Sequence, residues 1–330
     1  MNRINWGILG AANIAFSELL PAIRRSQNGE VVAVASRNRE KAIRFNTVKI
    51  YDTYEELLLD ESIDAVYIPL PNALHKEWAI KAMNAKKHVL LEKPATLTLN
   101  EMKEISEAVK QNNVVFMEAF MYQFHSQHEY VKQLLNDGTI GDYQYVKAHF
   151  SFKLDDPNDI RLNRELGGGA LWDVGCYGIH ALTQIVGMKP TEVSMIGKVD
   201  SNHQVDTTSV CFFTDEKNRC AEVSASFEGS FLDRYEIFGE KSTIIVESAF
   251  RPDVSENGTG KVTLIDHDGH VIESRLFKDD QYLRQVEHIQ DCIINHQDPK
   301  YNHHNSLEMV KYIESAYQSL YNSSETVKIS

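Results

Sequence analysis

The chain reads as an α/β protein: a doubly wound parallel sheet first, then an α+β region with a mostly antiparallel open sheet. Two observations predict this. Over the first 120 residues short apolar runs alternate with amphipathic stretches, and such a β-α-β rhythm calls for parallel strands with helices on both faces. After about residue 122 the rhythm breaks and strand-like segments follow one another with period-two alternation, the pattern of a sheet with one buried and one open face. The 330 residues thus divide into domains at 1–122 and 123–330, close to the usual domain size.

Residues 4–9 form the first strand, and a helix over 13–26 follows with Ala15, Leu19 and Ile23 on one face. A strand at 31–35 and a helix at 39–45 come next. Residues 64–69 are a strand, and 76–85 a helix that gathers Trp78, Ala79, Ala82 and Met83 on one side. Residues 89–91 are a buried strand. Asn100 is expected to cap a helix that buries Met102, Ile105 and Val109, and 114–117 is one more strand. In the second region, helices at 127–136 and 170–186 bracket a strand at 143–154. Ala221, Val223, Ala225 and Phe227 alternate with Glu222, Ser224 and Ser226. Residues 256–260 read as a loop and Asp266-His267-Asp268-Gly269 as a hairpin turn. Helices at 281–296 and 306–321 close the chain.

Composition is that of a globular protein, 42% hydrophobic and 25% charged. A net charge of −13 argues against nucleic acid or an anionic membrane as the main partner. It leaves room for a small anionic ligand in a local basic pocket. Cys176, Cys211, Cys220 and Cys292 show no metal-finger or CxxC spacing, which points to a reduced, cytoplasmic setting. The chain enters a strand within its first residues, with no signal peptide on this reading. No apolar run approaches the roughly 20 residues of a membrane span.

The first strand runs into Gly7-Ile8-Leu9-Gly10-Ala11-Ala12-Asn13-Ile14-Ala15. Small residues at a strand-helix turn let backbone approach a pyrophosphate, and the helix N-terminus favours its charge. Against G-x-G-x-x-G/A the positions are Gly10, Ala12 and Ala15, so the middle glycine is missing. Close packing alone also selects small residues here. The end of the second strand, Val34-Ala35-Ser36-Arg37, lacks the acid that binds a ribose 2′-hydroxyl in NAD sites. Ser36 and Arg37 suit a 2′-phosphate, which predicts NADP(H) over NAD(H). The competing reading is a solvated arginine with Ser36 capping the next helix.

A strand ends at His88-Val89-Leu90-Leu91-Glu92-Lys93-Pro94. Pro94 holds Lys93 extended at the carboxyl edge of the sheet, where ligands bind in open α/β sheets. In the second region Gly167-Gly168-Gly169 leads into a helix in which Asp173, Tyr177 and His180 fall at i, i+4 and i+7, one face. Three polar groups on an otherwise apolar helix are costly unless they line a cleft or are satisfied internally. His125, His128, His303 and His304 are read as non-metal, because no ligand set at zinc spacing surrounds them.

Gly10-x-Ala12, Pro71-Asn72-x-x-His75, Glu92-Lys93-Pro94, Met117-Glu118-Ala119-Phe120 and Gly167-Gly168-Gly169-Ala170-Leu171-x-Asp173-Val174-Gly175-Cys176-Tyr177 occur in that order. Together they resemble the Gfo/Idh/MocA oxidoreductase superfamily, nearest the branch of glucose-fructose oxidoreductase, dimeric dihydrodiol dehydrogenase and NADP-dependent xylose dehydrogenase. The resemblance spans nearly the whole chain. It implies an N-terminal Rossmann domain and a C-terminal domain whose open sheet builds a homodimer or homotetramer. It also implies hydride transfer between NADP(H) and a secondary alcohol or carbonyl of a sugar, polyol or cyclic diol, without a metal.

By the same resemblance Lys93, Asp173 and Tyr177 are the catalytic set, and Gly10, Ala12, Asn13, Ile14, Ser36, Arg37, Pro71, Asn72, His75, Glu92 and Lys93 bind the cofactor. Substrate would meet Lys93, Arg161, Asp173, Tyr177 and His180, with a surface ion pair as the other role for Arg161. Tyr177 stands where the inositol-dehydrogenase branch has histidine. A tyrosine, with an ordinary pKa of about 10, is a proton donor at neutral pH, and an ammonium beside it favours its phenolate for the reverse step. The rival readings are a non-catalytic NADP-binding sensor or scaffold, and an NAD-linked inositol dehydrogenase; Ser36-Arg37 and Tyr177 weigh against the second.

Overall fold

The computed structural model describes residues 3–329, which form two compact units: 3–121 with 281–310, and 122–280 with 311–329. In the first, β1 (Ile4–Leu9), β2 (Gly29–Ala35), β3 (Lys49–Tyr51), β4 (Ala65–Ile68), β5 (His88–Leu91) and β6 (Phe116–Glu118) make one parallel sheet in the order β3-β2-β1-β4-β5-β6. The order reverses between β1 and β4, and it is at the carboxyl ends of strands at such a switch point that ligands bind in open α/β sheets. Inner strands are apolar on both faces: Ile8 and Leu9, Val66 and Tyr67, and Val89 and Leu90 are all fully buried.

The helices between these strands are α1 (Leu20–Arg25), continuing a wide π-helical turn at Ala15–Leu19, then α2 (Arg39–Ile43), α3 (Tyr54–Leu59), α4 (His75–Asn84) and α5 (Leu99–Asn112). The cap of α5 differs from expectation. Thr98, extended at φ −138°, accepts from the Glu101 amide at 3.2 Å, and Asn100 lies inside the first turn. A hydroxyl two residues earlier wins because Glu101 reaches back to the Leu97 amide. The sequence reading also passed over β3 and α3, which are short and half-exposed, with little periodicity to betray them.

The second unit is built on a nine-stranded sheet. Its strands are β7 (Tyr143–Lys153), β8 (Pro190–Val199), β9 (Asp206–Asp215), β10 (Cys220–Ser226), β11 (Glu228–Gly239), β12 (Thr243–Glu247), β13 (Gly260–Ile265), β14 (Val271–Phe277) and β15 (Val327–Lys328). The order is β14-β13-β12-β11-β7-β10-β9-β8-β15, antiparallel except for the β7–β10 pair. The hairpin at 266–269 joins β13 to β14 as expected, with Gly269 at φ 83°. Helices α6 (Ser126–Asn136) and α7 (Cys176–His180) belong to this unit.

Two helices close the chain, α8 (Gln281–Asn295) and α9 (His303–Tyr321). The sequence reading placed both after a single boundary at 122/123. Instead α8 lies against α1, where Gln290 donates to Ser26 Oγ at 3.0 Å, and α9 passes from the first unit to the second at Val310. An apolar helix face announces burial but not which sheet it will cover.

Candidate active site

At the carboxyl end of β1, Gly10 takes φ 107°, and a Cβ there would stand 2.9 Å from Leu70 Cδ2. A side chain would be strained and would fill the space over the turn, so the position selects glycine. Ala12 and Ile14 are half-buried and Asn13 is exposed. No side chain caps the helix that starts here, so its first amides remain available to an anion.

At the end of β2 one of the two roles open to Ser36 falls away. Asn38, not Ser36, caps α2, accepting from the Lys41 amide at 3.0 Å. Ser36 is 7% exposed and accepts from the Asn38 amide at 3.1 Å. Arg39 pairs with Asp52 at 3.0 Å, whereas no ion pair engages exposed Arg37 among the described residues. Arg37 acts electrostatically on Tyr54, whose hydroxyl lies 3.8 Å from where a Cβ on Gly10 would stand. The pyrophosphate turn and the arginine therefore share one corner of the sheet, and these residues fit a dinucleotide with a 2′-phosphate.

Lys93 follows β5 at the next strand edge, half-buried, and its bond to Pro94 is cis. Glu92 accepts from the Tyr67 hydroxyl and from the Lys93 amide, the latter at 3.2 Å. Pro71 and Asn72 lie in the loop after β4 that leads into α4. His75, expected to meet the cofactor, is fully buried. Its Nδ1 lies 2.8 Å from the Pro94 carbonyl and its Nε2 2.8 Å from the Leu70 carbonyl. Burial chiefly, with the charge of Lys93 adding to it, brings its pKa down to about 4, so the ring is neutral at pH 7. The neutral ring has a single N–H, so it donates to one of these two carbonyls, which lie in the loops that follow β5 and β4.

In the second unit a continuous helix carries the other candidates, with wide π-helical turns at Leu171–Gly175 and Ala181–Ile185 flanking α7. Asp173 accepts from Arg161 Nε at 2.8 Å, and Arg161 Nη1 also reaches Asp159 at 3.2 Å. Tyr177 is 6% exposed and sits among Tyr122, Phe150 and Phe250, with ring centroids 5.5–5.7 Å away. His180 is fully buried, its Nδ1 2.6 Å from the Tyr122 hydroxyl, and burial pushes its pKa well down. The expected polar stripe thus splits: Asp173 meets Arg161, and His180 is turned inward. The i, i+4, i+7 argument assumed 3.6 residues per turn throughout, and the π-helical turns break that phase.

Two buried carboxylates beside these elements were not among the expected site residues. Asp206 accepts from the Leu171 amide at 2.8 Å and from the Tyr317 hydroxyl at 2.6 Å, anchoring the start of the Tyr177 helix. Gly169 passes over it at φ +130°, where a Cβ would come within 2.4 Å of Asp206 Oδ1. Glu118, at the end of β6, lies under the turn that bears Lys93. Glu118 stands in one of the ordered motifs; Asp206 carries no signal in the sequence at all.

A doubly wound parallel sheet with a small-residue turn after its first strand, followed by a second unit on an open sheet, is a frame on which nucleotide-dependent oxidoreductases are built. Comparison makes this specific. A family model described as "Oxidoreductase family, NAD-binding Rossmann fold" matches residues 4–120, and one described as "GFO/IDH/MocA C-terminal domain" matches residues 128–245. D-xylose 1-dehydrogenase (NADP(+)) 2 of Haloferax volcanii is 32% identical over 95% of this chain and 96% of its own. Trans-1,2-dihydrobenzene-1,2-diol dehydrogenase of Xenopus laevis is 31% identical over 88% of this chain and 89% of its own. The crystal structure of KijD10, a 3-ketoreductase from Actinomadura kijaniata in complex with NADP and TDP-benzene, superposes with a TM-score of 0.91. It is 28% identical, covering 97% of this chain and 98% of that one. The chain belongs to the Gfo/Idh/MocA family of oxidoreductases.

Proposed function

We propose that the protein transfers a hydride between NADP(H) and a secondary alcohol or carbonyl of a sugar, polyol or cyclic diol. The end of β2 carries the cofactor assignment: no carboxylate stands there, and Arg37 has no ion pair among the described residues while Arg39 is taken by Asp52. Ser36 and Arg37 would hold the 2′-phosphate, and the Gly10 turn with the following helix the pyrophosphate. The named activities of the xylose and dihydrodiol dehydrogenase relatives support the substrate class. The bound nicotinamide supplies or accepts the hydride. Lys93 steadies the substrate oxygen as negative charge builds on it. Tyr177 gives that oxygen a proton in reduction and takes it back in oxidation. Asp173, its charge partly balanced by Arg161, accepts from a neighbouring substrate hydroxyl. The open face of the nine-stranded sheet joins copies of the chain.

The test is one panel: aldoses, polyols and cyclic diols, each with NADP+ and with NAD+, for the wild type and Arg37→Asp, followed by absorbance of the reduced cofactor. Turnover with a preference for NADP+ is expected, reduced roughly 10- to 100-fold in the variant, the worth of one charge-assisted contact. A variant that keeps its NADP+ preference overturns the cofactor assignment. Tight NADPH binding without turnover on any compound would leave a sensor in place of an enzyme.

A further inference from the structure

Glu118 is the most enclosed acid near the Lys93 turn, and no step above uses it. It is fully buried at the end of β6, beside the end of β5 that carries Glu92 and Lys93. One carboxyl oxygen accepts from the Ala95 amide at 2.8 Å, two residues beyond Lys93. The other accepts from Ser306 Oγ, on the first turns of α9, at 2.7 Å. The Tyr301 hydroxyl faces the same carboxyl. A buried carboxylate is costly, yet here it is surrounded by donors drawn from the catalytic turn and the C-terminal segment. Those donors gain nothing from an acid that an amide or a water would not give, unless the strength of the hold on Ala95 matters. A charge-assisted hydrogen bond to a backbone amide is about twice as strong as a neutral one.

We propose that Glu118 is a positioning residue for Lys93: its carboxylate pins the Lys93-Pro94-Ala95 turn to α9 and so fixes where the ammonium stands. This deepens the oxidoreductase reading and rests on it for its catalytic consequence, though not for its structural one. His75, at the start of α4, meets the same turn with its Nδ1 2.8 Å from the Pro94 carbonyl. In the tautomer protonated on Nδ1 the turn is held by one neutral and one ionisable group.

The clamp has a pH dependence. Burial first, with the charge of Glu92 adding to it, raises the Glu118 pKa to about 7, while Ser306, the Ala95 amide and Tyr301 hold it down against that burial. Below that pH the carboxyl is neutral and its hold on Ala95 is weaker; above it the hold is charge-assisted. The neighbouring histidines do not blur this window. His75 on α4 and His303, which contacts Ser106 of α5 at 2.7 Å, both have pKa values lowered to about 4, chiefly by burial.

The experiment measures hydrogen exchange of the 92–97 backbone, corrected for intrinsic rates, together with kcat over pH 5.5–8.5, for the wild type, Glu118→Gln and Ser306→Ala. In the wild type, protection of the turn and kcat should both rise through about pH 7. Glu118→Gln should lose that step in both, with kcat lowered by up to 10²-fold, the scale of a misplaced catalytic group. Ser306→Ala removes a donor that stabilises the carboxylate, so the midpoint should move to higher pH, and it carries the test if the glutamine variant fails to fold. Wild-type protection at every pH in Glu118→Gln, or an unmoved midpoint in Ser306→Ala, overturns the proposal. If no compound turns over, the oxidoreductase reading has failed, and the exchange data still decide the positioning claim.

Discussion

Tyr177 is held by the rings of Tyr122, Phe150 and Phe250, so replacing its hydroxyl by hydrogen leaves those packing contacts in place. Tyr177→Phe should therefore unfold within a few degrees of the wild type while kcat drops by about 10²–10⁴, the range for a lost proton donor. Thermal unfolding and steady-state kinetics on the best compound of the panel check both halves. Near-full turnover, with Lys93→Met inactive, would move the proton to another group. At this scale the sequence announced residue types well and surroundings poorly. Lys93, Asp173 and Tyr177 stood out as candidates because a proline, a glycine run and the ordered motifs set them apart. His75 and His180 were legible too, but not that both would be sealed from solvent. Which side of a helix faces a neighbouring loop depends on chain that arrives much later.

The helix that carries Tyr177 is anchored by a residue 35 positions away, Asp206, which accepts from the Leu171 amide in its first turn. Its extent was readable from an apolar pattern over 170–186; its π-helical turns and the Asp206 contact were not, since neither leaves a periodic trace. Asp206 gives this element a pH signature. Burial raises its pKa from 3.8 to about 6, against the opposing bonds from Tyr317 and Leu171. A group whose folded pKa lies above the unfolded one contributes stability that is complete below pH 3.8 and is lost as pH rises through about 6. Asn mimics the protonated form and keeps a donor and an acceptor for the same partners. Asp206→Asn should thus match the wild type near pH 4 and become the more stable protein by pH 7, by up to ~3 kcal/mol. Denaturant unfolding at a series of pH values measures this. Parallel curves for the two proteins would show that Asp206 stays ionised at little cost.

For the whole molecule the open sheet face sets the expected assembly state. Register puts Ser194 and Ile196 of β8 beside Phe212 and Val210 of β9, then Glu222 and Ser224 of β10, Lys147 and His149 of β7, and Glu236 and Arg234 of β11. The opposite face holds Met195, Phe213, Val223, Ala148 and Ile237, all buried. Alternation in the sequence foretold this division between faces. It did not foretell that the outward face keeps Ile196 59%, Phe212 45% and Leu232 42% exposed. Apolar side chains interspersed with Lys147, Glu222 and Arg234 suit a two-fold contact, in which a patch meets its own copy and each cation can face an anion. Light scattering coupled to size exclusion should therefore give two or four times the 37.6 kDa chain mass. Phe212→Glu adds a charge beside Glu222, with which it is in register, so a two-fold contact would bring like charges together without touching the buried face. That variant should shift to monomer at micromolar concentration with its unfolding temperature lowered only by the lost association. A wild type that is monomeric at the same concentration would leave this face to solvent and end the assembly argument.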